Sequence, residues 1–255
     1  DWIPAEHRRR VDAARTELDA MIQGFVDRAR ARQGDDLLCA LIAARDDQGH
    51  GMTDTELRDE LITLMLAGHE TTAISLAMTA WLLAEHPELQ ERAHAELDAV
   101  LAGERPPMAS VRDLPFLSAV IDETLRLYPP AWAIARQTTE PLVIGGCEIE
   151  KDARLIMSPW LVHRDPRFWV GPTRFRPDRW LNGETTDLPR MAWMPYGGGR
   201  RICVGNHFAK MEMVMVLAVL LQGHRIEAAP GYAPDLVPAV TLRPTRGVEL
   251  ILHSR

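Results

Sequence analysis

The sequence predicts a mainly α-helical protein with small β-sheets. A helical pattern of apolar residues runs unbroken from position 53 to about 86, and a second apolar helix, around 211–221, follows a glycine-rich loop. Only short stretches, between 136 and 158 and again between 240 and 251, read as strands. At 255 residues, 46% hydrophobic and 25% charged, the chain is long enough to bury a sizeable core.

Taken in order, residues 11 to about 32 mix apolar and charged side chains at helical spacing, and 36–45 read as a shorter helix before the turn Asp46-Asp-Gln-Gly-His-Gly51. Thr53-Asp-Thr-Glu56 is a capping box that opens the longest element, which ends ahead of Pro87 and spans roughly 50 Å at about 1.5 Å per residue. Its middle, Leu61-Ile-Thr-Leu-Met-Leu66 and Ala73-Ile-Ser-Leu-Ala-Met78, is apolar nearly all round, so the helix is expected to run through the protein's centre. Residues 116–128 form an amphipathic helix stopped by Pro129-Pro130. Segments 136–139, 142–144, 147–149 and 154–158, with a Gly145-Gly146 turn, are expected to build a small sheet, and 240–243 with 248–251 a second hairpin.

Composition narrows the function. Three scattered cysteines argue against a disulfide scaffold and for a reducing compartment such as the cytoplasm. A polar start, Asp1-Trp-Ile-Pro-Ala-Glu-His-Arg-Arg-Arg10, predicts no signal peptide, and no segment is expected to span a membrane. A net charge of −7 argues against nucleic acid as a partner. Gly197-Gly198-Gly199-Arg200 lacks the Gly-Lys-Ser/Thr of a phosphate cradle, and Cys39, Cys147 and Cys203 lie too far apart, with no Cys-x-x-Cys pair, for a zinc site.

Chemistry concentrates in Met194-Pro-Tyr-Gly-Gly-Gly-Arg-Arg-Ile-Cys-Val-Gly-Asn-His-Phe-Ala209. A cysteine on a glycine-rich loop at the start of a helix stands where the helix dipole and free amide groups favour a thiolate. The alternative is an inert buried cysteine beside a flexible turn. A second singular stretch, Ala67-Gly68-His69-Glu70-Thr71-Thr72, is a polar island in the longest helix. Gly68 costs about 1 kcal/mol there relative to Ala, and a buried carboxyl costs more unless paired or protonated. The alternative is a kinked core helix with threonine hydroxyls bonded to the preceding turn. Glu123 and Arg126 share a helix face at i, i+3, as an ordinary surface ion pair would.

The spacing Tyr196-x-x-Gly199-x-Arg201-x-Cys203-x-Gly205 resembles the haem-binding signature of the cytochrome P-450 family. That resemblance implies Cys203 as the axial thiolate of haem b, iron protoporphyrin IX. Tyr196 departs from the family's usual Phe, and its hydroxyl needs a partner. Ala67 to Thr71 resembles the family's oxygen-activation motif. By that resemblance the helix loosens at Gly68 to leave a groove for O2, with Glu70 and Thr71 as the acid and alcohol. Glu123 and Arg126 resemble its Glu-x-x-Arg unit, completed by Arg179 of Phe175-Arg-Pro-Asp-Arg-Trp180 in a buried structural triad. By the same resemblance Arg136 and Arg201 bind haem propionates, while Ala133, Ile134, Ala239 and Val240 line the substrate. His163 is expected in a packed, hydrogen-bonded role, and neither it nor His69 as an iron ligand.

The implied whole is the C-terminal portion of the cytochrome P-450 fold, a single partial domain over 1–255 with a long central helix over a cysteine-ligated haem site. Its N-terminal helices and sheet strands are expected to be absent. The implied activity is a monooxygenase that inserts one oxygen atom of O2 into a lipophilic substrate, with electrons from NAD(P)H through a ferredoxin or a flavodoxin or flavin reductase. Arg200, Arg201, His207 and Lys210 would form a basic docking patch for that donor. The alternative is a truncated, non-catalytic haem-binding or interaction fragment.

Overall fold

The computed structural model describes residues 5–32 and 34–255, and the chain divides into two compact units, Asp1–His69 and Glu70–Arg255. In the first unit, α1 (Ala5–Arg32) starts earlier than position 11 and turns Ile22, Val26 and Ala29 inward, one helical face at i, i+4, i+7. Ile22 and Val26 meet Leu57, with Leu38, Leu41, Leu61 and Ile62 around them. α2 (Leu37–Ala43) is capped by Asp36, whose carboxylate accepts from Cys39 N at 3.0 Å. It stops short of position 45 because Ala44 leaves the helical region at ψ 141°.

α3 (Asp54–Glu85) opens with the expected reciprocal box: Thr53 N donates to Glu56 Oε2 at 2.8 Å, and Glu56 N to Thr53 Oγ1 at 3.3 Å. The expectation of a helix buried along its length fails. Burial is concentrated at the two ends, at Leu57 in the first turn and at Ile74, Met78, Leu82 and Leu83 in the second half, whereas Leu66 is 61% exposed and residues 67–69 are exposed. An all-round apolar pattern records what a helix can bury, not what its neighbours cover. By length and composition alone, α3 could also cross a membrane, contrary to the expectation that no segment would. Its polar Thr72, Ser75 and Thr79 are buried within the fold, as befits a core helix.

In the second unit, α4 (Pro87–Leu101), for which the sequence expectations name no element, starts with Pro at its first turn and buries Leu89, Ala93, Leu97 and Leu101 on one stripe. That stripe packs with α5 (Pro115–Leu127) and α7 (Asn206–Gly223), through Leu117, Val120, Ile121, Leu217 and Leu221, as the unit's main core. Gln90 joins this core to a strand pair by donating to Ile226 O at 2.8 Å and accepting from Ile226 N at 2.7 Å.

Among the described residues the strands form four antiparallel pairs. β1 (Ile134–Gln137) pairs with β4 (Arg154–Met157), and β2 (Leu142–Ile144) with β3 (Cys147–Ile149) across Gly145 and Gly146, whose φ values of 57° and 82° require glycine. A short α6 (Pro159–Val162) follows β4. The second hairpin differs from expectation, because 240–243 and 248–251 do not pair with each other. β5 (His224–Ala228) takes β8 (Leu250–Ser254), and β6 (Leu236–Pro238) takes β7 (Leu242–Pro244). The short connection at 239–241 closes β6 on β7 locally, and β5, continuing directly from α7, leaves its edge for the C-terminal strand.

Candidate haem-thiolate site

The cysteine loop is shaped by glycines where the backbone demands them. Gly197 and Gly199 have φ of 76° and 70°, the left-handed region that favours glycine. A 3-10 turn over Gly199–Arg201 follows, and Cys203 N donates to Tyr196 O at 2.9 Å, closing the loop on itself before Gly205 caps α7. Cys203 is therefore not a buried cysteine. It is free and exposed two residues ahead of the cap, flanked by exposed Ile202, Val204 and Phe208.

Ile134 Cδ1 lies 3.5 Å from where a Cβ on Gly197 would be, so β1 rests against the loop. Arg136 is two residues further along β1 and therefore on the same strand face as Ile134. Its guanidinium is exposed and donates to Ala135 O, and Arg201 is exposed on the loop itself. The two apolar segments come together: Trp132 Nε1 donates to Ala239 O at 2.9 Å, and Leu242 N to Pro130 O at 2.9 Å. Ala133 and Ile134 are half-buried, while Ala239 and Val240 are exposed.

Tyr196 packs against the main core with its ring edge-on to Trp193. Its hydroxyl is buried and has no hydrogen-bond partner among the described residues, and that burial drives its pKa well above the ordinary value.

Behind the loop, Glu123, Arg126 and Arg179 form one network at 0 to 1% exposure. Arg126 grips Glu123 with two bonds, of 2.9 and 2.8 Å, and Arg179 Nε adds one of 3.0 Å. Arg176 N at 2.9 Å and Trp180 Nε1 at 3.0 Å complete the carboxylate's shell. The remaining guanidinium protons of Arg126 go to the carbonyls of His163, Pro172 and Arg174. Sequence reasoning missed Trp180, although it directly follows Arg179. His163 is fully buried, accepts at Nε2 from Met194 N and donates from Nδ1 to Arg126 O. That leaves it neutral, and burial lowers its pKa from 6.5 to about 3.

Lys210 corrects the expected basic patch. Its ammonium donates to Asp122 Oδ1 at 2.5 Å and to Ser118 O at 2.6 Å, tying α7 to α5. Desolvation holds Lys210 below and Asp122 above their ordinary pKa values. Nothing local in the sequence marks the pairing, since Asp122 lies 88 residues away on α5. Arg200, Arg201 and His207 remain exposed.

The polar island of α3 differs from expectation in two respects. The helix is continuous from Asp54 to Glu85, so the loosening at Gly68 is absent, although a Cβ built there meets nothing within 4 Å. Glu70 is half-exposed rather than buried, and it pairs with Arg243 Nη1 at 3.3 Å. Ser75 and Thr79 do bond back to Thr71 O and Ser75 O, as hydroxyls in helices often do.

A cysteine presented on a tight glycine loop at a helix start, backed by a sealed Glu-Arg-Arg network, is an arrangement that suits a thiolate-ligated cofactor. Comparison with known proteins agrees. The cytochrome P450 family model matches residues 1–251, and the chain belongs to that family. It is 39% identical over 233 residues to cyclooctatin synthase of Streptomyces melanosporofaciens, covering 90% of this chain and 51% of that protein. Over 223 residues it is 37% identical to pentalenene oxygenase of Streptomyces avermitilis, covering 88% and 50%. The crystal structure of a cytochrome P450, CYP102L1, superposes with a TM-score of 0.90 at 29% identity, covering 98% of this chain and 58% of that one. The chain thus spans about half the length of the curated relatives it matches.

The family implies haem, and the residues present fit it. An exposed thiol, an apolar rim of Ile202, Val204 and Phe208, and the two exposed guanidiniums of Arg136 and Arg201 match a flat apolar group that carries carboxylates.

Proposed function

We propose that this chain forms the haem-binding half of a monooxygenase that inserts one oxygen atom of O2 into a lipophilic substrate, the other leaving as water. Two electrons reach it from NAD(P)H through a ferredoxin, flavodoxin or flavin reductase. The observation that carries the reading is Cys203, exposed on its loop with an apolar rim around it.

Haem bound here would supply oxygen activation, and the Cys203 thiolate the electron donation that favours O–O cleavage. The chain's own residues do the rest. Cys203 N–H, bonded to Tyr196 O, fixes where the sulfur points. Arg136 and Arg201 hold the propionates. Glu70 and Thr71 carry protons toward the oxygen-binding side, which a half-exposed carboxylate on a weak ion pair can do without stranding a buried charge. Ala133, Ile134, Ala239 and Val240 offer apolar contacts to the substrate and exclude water. The exposed Arg200, Arg201 and His207 steer an acidic electron donor, and a cytoplasmic location suits both donor and free thiols.

A second reading, a haem-binding fragment without catalysis, draws on the exposure of residues 65–69, next to the acid and alcohol positions. The absorption spectrum of the reduced, carbon monoxide-treated chain tests the first step. A strongly red-shifted Soret band that disappears in Cys203→Ser supports thiolate ligation, and an unshifted band refutes it. Peroxide release in place of product would favour the second reading.

A further inference from the structure

The ion pair between Glu70 and Arg243 joins two parts of the site that the chain keeps 173 residues apart. On α3 the positions three and four residues from Glu70 are Leu66, Ala67, Ala73 and Ile74, none of them a cation, so a partner has to come from another element. It comes from the middle of β7. Leu242 is buried, and strand alternation sends the next side chain, Arg243, to the opposite face. Across the ladder Arg243 faces Val237, and the nearby Asp235 is engaged by Thr245, so the hairpin offers Arg243 no anion of its own.

That hairpin is also the one whose tip carries Ala239 and Val240. Two bonds, Trp132 Nε1 to Ala239 O and Leu242 N to Pro130 O, fasten it to the segment that bears Ala133 and Ile134. Ile134 in turn rests on Gly197 of the cysteine loop.

We propose that Arg243 is a positioning residue that ties the Glu70 carboxylate to the substrate-lining hairpin, so that a ligand seated against Ala239 and Val240 also fixes where the carboxylate stands. The proposal deepens the monooxygenase reading and rests on it. A pair half-open to water adds little to stability, so its value lies in geometry. It is strong enough to bias the side chain and weak enough to let it swing.

The test is hydrogen exchange on the haem-loaded 255-residue chain, with 4-phenylimidazole as the lipophilic probe. In the wild type the probe should slow exchange at amides 236–244 and at 70–74 by roughly two- to fivefold, the range open to an exposed ion pair. Arg243→Gln should keep the first protection and lose the second, and Arg243→Lys should restore it. Retention of both in Arg243→Gln, or protection of only one segment in the wild type, overturns the proposal. A second arm needs no haem: Glu70→Arg and Arg243→Glu should each speed exchange of the ligand-free hairpin, and the double swap should slow it again. If the swap fails to do so, the tie itself is refuted. The monooxygenase reading falls separately, if the wild-type spectrum shows no thiolate ligation.

Discussion

Two glutamates in this molecule are solvated in opposite ways, one sealed from water and one open to it. Glu123 has no exposed surface and five hydrogen bonds from four residues, whereas Glu70 is half-exposed and has Arg243 for an ion-pair partner. A carboxylate removed from water has to have its lone pairs satisfied, and once they are satisfied it can neither move nor exchange a proton cheaply. A carboxylate left at the surface can do both. The first arrangement pins the segment 163–176 to α5, and the second suits the proton transfer proposed for Glu70.

The largest effect should come from breaking the sealed site. Glu123→Ala strands the guanidiniums of Arg126 and Arg179 and should cost about 3–5 kcal/mol, seen as a drop in the urea midpoint and loss of haem retention. A loss below about 1 kcal/mol would show that water reaches the network and that the contrast with Glu70 is false.

His163, bonded to the same network, should make it sensitive to acid. Its folded pKa of about 3 lies below the ordinary 6.5, so between these values the unfolded chain binds the extra proton and stability falls as pH falls. The slope should reach about 1.4 kcal/mol per pH unit from this residue, and His163→Gln should flatten it in urea titrations at successive pH values. An unchanged slope would assign the acid sensitivity elsewhere.

Tyr196→Phe removes a buried hydroxyl that has no partner and should stabilise the chain by about 1 kcal/mol, readable as a higher melting temperature. Destabilisation would reveal a partner for that hydroxyl. The smallest structural effect belongs to Glu70→Gln, within about 0.5 kcal/mol by urea denaturation, while product formed per electron consumed should fall several-fold. A large stability loss there would erase the distinction between the two carboxylates.

How much of this was legible in the sequence follows from how local each signal is. The capping box at Thr53, the strand pair around Gly145-Gly146 and the glycine loop at Cys203 are set by neighbours within a few residues, and each forms as the pattern suggests. The triad is non-local, but a family motif marks Glu123, Arg126 and Arg179, and they do meet. No such mark accompanied Asp122 beside Lys210 or Arg243 beside Glu70, since both pairings depend on how distant elements dock. The strand partners of β7 and β8 were misjudged for the same reason: alternation identifies a strand without naming its neighbour. The buried course expected for α3 failed because periodicity is blind to what lies across from it.

The two bonds that pin the β6–β7 hairpin involve backbone atoms of Pro130, Ala239 and Leu242 and the indole of Trp132, and none involves the side chain of Val240, which stands 95% exposed between them. The frame of that tip is thus independent of which residue occupies position 240. Exchanges there, from glycine to phenylalanine, should leave folding within about 0.5 kcal/mol of the parent while altering the surface offered to a substrate. A substrate surface of the kind proposed for this tip would be readily evolvable, because new selectivity could be explored one side chain at a time on a scaffold that does not notice.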